Sequence, residues 1–304
     1  MNAIINLDKP RGMSSQQAVT RVKRIIRARK AGHSGTLDPI ATGILLVCLG
    51  EATKVTRFLA DLDKEYLALM KLGEKTDTLD AEGTVIRKTG DLSIERDDLE
   101  TVLERFVGTI RQTPPMFSAI KRKGKPLYLL ARKGIEVDRP ERTVGVRSIE
   151  ITRFDLPWAE IRVSCSKGTY IRTLCDDIGD ALGVGAHVAE LKRTRIGKFS
   201  IKDSVTLDRL KELVQSPEFE FGAGNGMAPW ISSIDSSLSH LGEISLTGRE
   251  FSVARNGLPI GLRGNTAGTE TGYVRLKNPS GSLFAIGRAT ESSINIVRML
   301  SIRD

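Results

Sequence analysis

Residues 32–54 decide the fold, and they read GHSGTLDPIATGILLVCLGEATK. The first part, residues 32–43, contains three glycines and one proline and has no regular apolar spacing, so we predict a loop. The apolar run at residues 44–49 predicts a buried strand, and residues 51–62 predict a helix. The loop therefore leads into a buried strand, and Pro39 restricts the direction of the residue before it, Asp38.

Upstream of this stretch, the sequence predicts a strand at residues 4–7, a turn at residues 10–12 and an amphipathic helix that ends near residue 28. Ser14 and Gln17 form the capping box that starts this helix. Its outer face is strongly basic, because residues 1–30 hold eight lysines and arginines against the single acid Asp8. The eight basic residues are Lys9, Arg11, Arg21, Lys23, Arg24, Arg27, Arg29 and Lys30.

Downstream, apolar spacing predicts strands at residues 66–72 and 158–166 and helices at residues 99–108 and 168–182. A second basic cluster stands between them, with the sequence Lys121-Arg122-Lys123-Gly124-Lys125. Its Lys123-Gly124 step predicts the turn of a positively charged hairpin, followed by a short helix that Gly134 closes. Strands and helices that alternate without a regular βαβ rhythm indicate an α+β fold.

The chain divides near a segment rich in glycine, serine and proline at residues 215–229, which has the composition of a linker. We therefore predict one domain at residues 1–230 and a second at residues 231–304. The second domain contains short alternating apolar runs separated by Gly, Asn and Ser, as expected of a small β-rich module.

The overall composition favours a polyanionic partner. The chain has 304 residues, 46 basic and 37 acidic, with a net charge of +9. Its three cysteines and three histidines are scattered without metal-ligand spacing, so we expect no metal site and no disulfides. No apolar run is long enough to span a bilayer, and the N-terminus does not resemble a signal peptide. We therefore expect a cytoplasmic protein with no membrane role.

The segment at residues 32–54 resembles the signature of the bacterial tRNA pseudouridine-55 synthases, the TruB family. Further blocks of this family lie on both sides of this segment, in order and spacing, from residue 7 to about residue 199. They include Leu7-Asp8-Lys9-Pro10, Lys64-Glu65-Tyr66, Thr76-Asp77-Thr78 with Asp80, Ser166-Lys167-Gly168-Thr169-Tyr170-Ile171-Arg172 and Leu191-Lys192-Arg193. The resemblance implies a mixed, largely antiparallel sheet flanked by helices, plus a small C-terminal PUA-like module that binds RNA.

The same resemblance assigns roles to individual residues. Asp38 matches the catalytic carboxylate, Arg172 the arginine that pairs with it, and Tyr66 the active-site tyrosine that stacks on an extruded base. His33, Tyr170 and Leu191 match positions beside the flipped nucleotide. The residues that we expect to contact phosphates are Lys9, Arg21, Arg24, Lys121, Arg122 and Lys123.

The expected reaction isomerises the uridine at position 55 in the T loop of tRNA, with base flipping and no cofactor. The expected partner is the T stem-loop of tRNA, not DNA, and the protein is expected to be a monomer. The sequence does not decide whether Asp38 attacks C6 of the base or a glycal intermediate forms from the ribose.

Other functions remain open at this point. A non-catalytic RNA-binding or tRNA-folding protein would also carry the basic clusters, although it would not need Asp38, Tyr66 and Arg172 together. A hydrolase that uses Asp38 with a histidine is a weaker alternative, because the three histidines do not suggest an ordered triad. Guide-RNA-dependent relatives are conceivable, but they usually carry partner-binding extensions that this sequence lacks.

Overall fold

The computed structural model describes residues 1–118, 120–122, 124–131, 134–216, 228–261 and 271–301. The first ten strands are β1 (Ala3–Lys9), β2 (Ala31–His33), β3 (Thr42–Leu49), β4 (Lys64–Leu72), β5 (Glu74–Thr76), β6 (Val85–Lys88), β7 (Gly108–Gln112), β8 (Lys121–Arg122), β9 (Lys125–Pro126) and β10 (Arg142–Asp155). The later strands are β11 (Trp158–Cys165), β12 (Ala186–Ile196), β13 (Phe199–Ser200), β14 (Val205–Thr206), β15 (Ile231–Ser232), β16 (Gly242–Ser245), β17 (Ile260–Gly261), β18 (Gly272–Lys277), β19 (Leu283–Ala289) and β20 (Ser293–Met299).

The helices lie between these strands. They are α1 (Ser15–Ile26), α2 (Thr56–Ala60), α3 (Arg96–Glu104), α4 (Leu127–Ala131), α5 (Ile171–Ala181), α6 (Leu207–Gln215), α7 (Ile234–Ser237) and α8 (Gly248–Ala254), with 3-10 helices at Gly50–Lys54 and Ile201–Asp203. No helix in the described part of the chain is both long enough and apolar enough to cross a membrane.

The main sheet has the strand order β14-β1-β3-β12-β4-β11-β10-β7, with β2, β13 and β15 paired at its side. Its pairs are antiparallel except β1 with β14 and β3 with β12. Helices α1 and α6 pack over β1 and β3, while α3 and α5 pack over β4, β11 and β12. The predicted α+β fold with a largely antiparallel sheet is confirmed.

Strand β12 joins the two halves of this sheet at the place where the candidate site lies. Its residue Arg193 pairs with Gly43 at the start of β3 on one side and with Tyr66 of β4 on the other. The signature loop and the predicted active-site tyrosine are therefore held next to each other by one strand.

Helix α1 begins as the sequence predicts. Ser14 accepts a hydrogen bond from the backbone of Gln17, and the Gln17 side chain accepts one from the backbone of Ser14. The helix ends two residues earlier than predicted, because Arg27 adopts a left-handed conformation with a φ of 55°. Arg21 and Arg24 lie on its exposed face.

The structure corrects four element predictions. The helix predicted at residues 99–108 runs instead over Arg96–Glu104, and Gly108 already begins β7. Residues 32 and 33, predicted as the start of a loop, form β2 together with Ala31 and pair with β3. Residues 51–62, predicted as one helix, form a 3-10 helix and α2 with a break at Val55, where φ is −107° and ψ is 4°. Three of the residues around this break are β-branched, and the hydroxyls of Thr53 and Thr56 hydrogen bond to backbone carbonyls three residues back, which disfavours a continuous helix.

The last correction concerns α5, which starts at Ile171 and not at Gly168. Gly168 has a φ of 82°, a conformation that a right-handed helix does not contain. The strands at residues 66–72 and 158–166 are confirmed within two residues.

The predicted basic hairpin is confirmed in its backbone, since β8 and β9 pair antiparallel and α4 follows them. Lys123 lies outside the described residues, and so do the side chains of Lys121 and Arg122.

The C-terminal part forms a five-stranded sheet with the order β16-β18-β19-β20-β17. It has an apolar core of its own, and it also shares one with the main sheet, where Leu283, Ile286 and Leu300 pack with Ile4 and Ile44. Strand β15 pairs with β1, so the main sheet continues to Ser232. The predicted β-rich module is confirmed, whereas the division at residue 230 stays a prediction.

Gly43 is required where β3 approaches β12. Its φ is +98°, and a Cβ atom built on it would lie 2.2 Å from the backbone oxygen of Arg193. A side chain at this position would push the signature strand away from β12.

We therefore expect Gly43→Ala to destabilise the protein more than Gly12→Ala, its matched control. Gly12 also has a positive φ, +78°, but a Cβ atom there would meet nothing within 4 Å. The control should lose about 1–2 kcal/mol of unfolding free energy from backbone strain alone, and Gly43→Ala at least about twice as much. Urea unfolding measures both values, and equal losses would show that the close approach is not a constraint.

Candidate active site

The loop that carries Asp38 is fixed by the first residue of α1. The Ser15 hydroxyl accepts a hydrogen bond from the backbone N–H of Leu37 at 2.8 Å and donates one to its carbonyl at 2.9 Å. The backbone N–H of Gly12 donates to the Pro39 carbonyl at 2.8 Å. These bonds hold the backbone on both sides of Asp38, whose side chain stays 33% exposed.

Arg172, on the first turn of α5, is the charged partner of Asp38. Its Nε lies 2.9 Å from Asp38 Oδ2, and its side chain is only 5% exposed. Its Nη2 donates to the carbonyl of Phe117 at 2.8 Å, and its Nη1 donates to that of Thr78 at 3.1 Å. The structure therefore brings Arg172 to Asp38, and the guanidinium is held in place by bonds on all three nitrogens.

Asp80 is a second carboxylate on the same arginine, and the sequence analysis gave it no role. Its Oδ2 lies 3.2 Å from Arg172 Nη1, and its side chain is 6% exposed. Its Oδ1 accepts hydrogen bonds from the Thr78 hydroxyl at 2.7 Å and from the backbone of Glu82 at 3.1 Å. A buried carboxylate with these partners supplies the charge that keeps the Arg172 guanidinium buried and oriented.

The sequence around Asp80 is compatible with a role in the site and equally with an ordinary turn. The Thr76-Asp77-Thr78 block with Asp80 belongs to the family pattern, yet a short run of Thr and Asp is also typical of a turn. Nothing local connects Asp80 with Arg172, which is 92 residues away along the chain.

A cavity of about 360 Å³ lies beside the pair of Asp38 and Arg172. Tyr66, Tyr170 and Leu191 line it together with these two residues, so the structure brings five of the predicted site residues to one place. The volume and the apolar wall suit a small planar ring such as a nucleobase.

Both tyrosines in this cavity carry protonated phenols near neutral pH. Burial raises the pKa of Tyr66, although the neighbouring charge of Arg193 partly opposes the shift. Burial also raises the pKa of Tyr170. A neutral phenol can donate a hydrogen bond as well as accept one, and its ring can stack on a base.

His33 lies at the edge of the site, on β2. Its Nδ1 accepts a hydrogen bond from the backbone N–H of Gly35 at 3.3 Å. Burial lowers the pKa of His33, and the positive charge of Arg193 lowers it further, so the imidazole is neutral at physiological pH. His33 does not line the cavity, and its predicted contact with flipped nucleotides stays a prediction.

Arg193 is another residue whose role the sequence analysis missed. It is 1% exposed, and its guanidinium donates to the carbonyls of Ile44, Thr36 and Gly35 at 2.8, 3.4 and 3.3 Å. It therefore holds both ends of the signature loop from behind, while its own strand contacts Tyr66. Two buried arginines therefore fix the loop, Arg172 at the Asp38 side chain and Arg193 at the backbone before and after it.

The structure argues against the phosphate contact predicted for Lys9. Its side chain is fully buried, and its ammonium donates to the carbonyls of Pro10 and Met13 at 2.8 Å each. Burial lowers the pKa of Lys9 to about 8, against the raising effect of Asp38. The Lys9 side chain leaves β1 on a buried face and cannot reach solvent. Its ammonium therefore stabilises the turn at residues 10–13.

The phosphate contacts predicted for Arg21 and Arg24 stay predictions, as do those for the hairpin residues 121–123. Among the described residues, no group of three His, Cys, Asp or Glu side chains could hold a metal ion. The expectation that no cofactor is needed also stays a prediction.

Comparisons with known proteins place this geometry in a family. The sequence pattern of the TruB family pseudouridylate synthase N-terminal domain matches residues 23–171. That of the tRNA pseudouridylate synthase B C-terminal domain matches residues 172–238. This chain belongs to the TruB family.

Individual relatives agree with this assignment. The TruB family chain is 45% identical to a protein of Vibrio atlanticus (strain LGP32) named tRNA pseudouridine synthase B, over 93% of this chain and 89% of the relative. It is 42% identical to the protein of the same name from Pseudomonas aeruginosa (strain UCBPP-PA14), over 96% of this chain and 93% of the relative.

Solved structures show the same fold. In the archaeal box H/ACA sRNP Nop10-Cbf5 complex, one chain is 30% identical to this protein, with a TM-score of 0.71. The match covers 98% of this protein and 85% of that chain. A chain of an H/ACA RNP bound to a substrate RNA containing 2'-deoxyuridine is 29% identical to this protein, with a TM-score of 0.72. The match covers 99% of this protein and 85% of that chain.

We expect Arg172→Lys in this TruB family member to reduce turnover far more than RNA affinity. An ammonium keeps the charge but cannot reach Asp38, Asp80 and two carbonyls at once, so the carboxylate loses its fixed direction. Because the carboxylate is then misplaced relative to the substrate, kcat should fall about 100-fold, with little change in KM. Steady-state kinetics of pseudouridine formation measure both constants.

The matched control is Arg96→Lys, since Arg96 is half exposed and pairs only with Glu100 among the described carboxylates. It should behave as the unaltered protein. Equal losses of kcat and affinity in Arg172→Lys would instead mark Arg172 as a residue that binds RNA.

Proposed function

We propose that this chain is a tRNA pseudouridine synthase that converts the uridine at position 55 in the T loop of tRNA into pseudouridine. We further propose that it acts as a monomer in the bacterial cytoplasm. The observation that carries the proposal is the Asp38–Arg172 pair at a base-sized cavity lined by Tyr66 and Tyr170. The names of the bacterial relatives support tRNA as the substrate.

The reaction is an isomerisation, and its atoms balance within the nucleotide. The bond between C1' of the ribose and N1 of the uracil breaks, and a bond between C1' and C5 forms. The proton on C5 is lost and a proton is gained at N1, so no oxidant, reductant or group donor takes part. Protein groups need only supply a carboxylate, proton donors and a closed space for the detached base.

Asp38 supplies the carboxylate. Attack on C6 of the base and formation of a glycal intermediate from the ribose both require one carboxylate in a fixed direction, so both routes remain compatible with this site. Arg172 orients Asp38 and balances its charge, and Asp80 holds Arg172 in turn.

Binding of the base in the cavity also offsets part of the free energy needed to extract the uridine from the loop. Extrusion of a base from a folded loop costs a few kcal/mol, and stacking on an aromatic side chain offsets about 1–3 kcal/mol of it. Tyr66 is suited to that stacking, and its neutral phenol can donate to the base during rotation. Leu191 adds an apolar wall.

We expect Asp38→Asn to bind unmodified tRNA with unchanged affinity while forming no pseudouridine, because the amide keeps the shape but loses the carboxylate. Carbodiimide labelling and primer extension would map the product, and filter binding would measure affinity. The control is Asp91→Asn, since Asp91 is exposed and lies outside the cavity lining.

Activity of Asp38→Asn within about tenfold of the unaltered protein, a change of about 1.4 kcal/mol, would refute the catalytic role. If the unaltered protein binds tRNA but leaves it unmodified, the alternative of a non-catalytic RNA-binding protein is correct instead.

A further inference from the structure

Arg57 is an exposed arginine on α2 whose guanidinium rests on two aromatic rings. Its Cζ lies 4.5 Å from the centre of the Phe58 ring and 5.2 Å from that of Tyr273. The two rings contact each other edge to face, with centres 4.9 Å apart. Tyr273 belongs to β18, so a ring of the C-terminal sheet helps to hold an arginine of the main domain.

The positive charge of Arg57 is not balanced by any carboxylate within ion-pair distance in the described part of the chain. Asp61, four residues further on, pairs with Lys167 at 2.7 Å. Arg96 and Arg147, by contrast, pair with Glu100 and Asp63. Other exposed arginines, such as Arg21 and Arg24, also lack a carboxylate partner among the described residues, so it is the contact with two rings that sets Arg57 apart from them. The two rings thus hold the Arg57 guanidinium in position, and its N–H groups have no carboxylate partner among the described residues, so they can bind an anion.

Helix α2, which carries Arg57, reaches the cavity. Ala60, one helical turn further along α2, lines the cavity, and residues at this spacing are about 5–6 Å apart. The partner of Asp61, Lys167, stands between the cavity-lining residues Ser166 and Gly168. An RNA strand that places a base in the cavity brings its neighbouring phosphates near the segments that surround the cavity, which include the end of α2 and residues 166–168.

We propose that Arg57 is a preorganised binding site for a phosphate of the substrate RNA, and that Tyr273 is its positioning residue. A planar guanidinium binds phosphate through two parallel hydrogen bonds, and stacking reduces the rotamer freedom that would be lost on binding. The C-terminal module thereby contributes to RNA binding through an arginine that it does not itself contain. The proposal rests on the proposed function for the identity of the substrate.

Substitutions at Arg57 test the phosphate contact by binding of a T stem-loop RNA at several salt concentrations. Arg57→Gln should weaken binding about tenfold and flatten the slope of log affinity against log salt by about 0.7–0.9. Arg57→Lys should keep the slope but still bind more weakly, since it lacks the fork. Arg96→Gln, the control, should change neither. Unchanged affinity and slope in Arg57→Gln would overturn the proposal.

Substitutions at Tyr273 test the positioning role. Tyr273→Leu should weaken binding several-fold, and adding it to Arg57→Gln should cause no further loss, because both act on one contact. Tyr273→Phe keeps the ring and should bind as the unaltered protein does. Fully additive losses, or a loss in Tyr273→Phe equal to that in Tyr273→Leu, would overturn this role.

Circular dichroism melting identifies a variant that has lost its fold. If Tyr273→Leu does not fold, Tyr273→Met, of similar size and without a ring, takes its place in the same double-substitution comparison. Turnover at saturating RNA should be unchanged in Arg57→Gln. Failure of the proposed function is a different result, since the unaltered protein would then form no pseudouridine at all.

Discussion

A single buried guanidinium holds the candidate active site together. Arg172 joins Asp38, on the signature loop, to Asp80, on a turn next to β12, and its remaining bonds go to backbone carbonyls. Such a cation is costly to bury unless every N–H finds an acceptor, so the positions of both loops are tied to it. Asp80 is enclosed, whereas Asp38 is partly open to the cavity. One carboxylate is therefore structural and the other is available for chemistry.

The main sheet fixes the positions of the segments that carry the site. Gly43 lets β3 approach β12 closely, and Arg193 of β12 donates to carbonyls at both ends of the signature loop. The same strand pairs with β4, which carries Tyr66. The carboxylate, its arginine and the stacking ring thus belong to different segments, and their spacing is set by strand register. The contacts of this site are in place without substrate, as electrostatic preorganisation requires.

Local patterns predicted the parts of this structure that depend on local interactions. The capping box at Ser14, the strands around Tyr66 and Val163, and the basic hairpin all follow from spacing within a few residues. The family blocks predicted that Asp38, Tyr66 and Arg172 belong to one site, and all three line the same cavity. Asp80 and Arg193 were missed because their partners are 92 and 149 residues away. The burial of Lys9, which argues against its predicted phosphate contact, depends on tertiary packing that no local pattern shows.

The most direct test of the account is a crystal structure of the Asp38→Asn variant with a T stem-loop RNA. We expect the target uridine outside the stack and in the cavity, with its ring against Tyr66 and a carbon of its base or ribose within about 3.5 Å of the side chain at position 38. Arg172 should still join that side chain to Asp80. A uridine that stays stacked in the loop, or that lies in the cavity with position 38 turned away from it, would contradict the central role of Asp38.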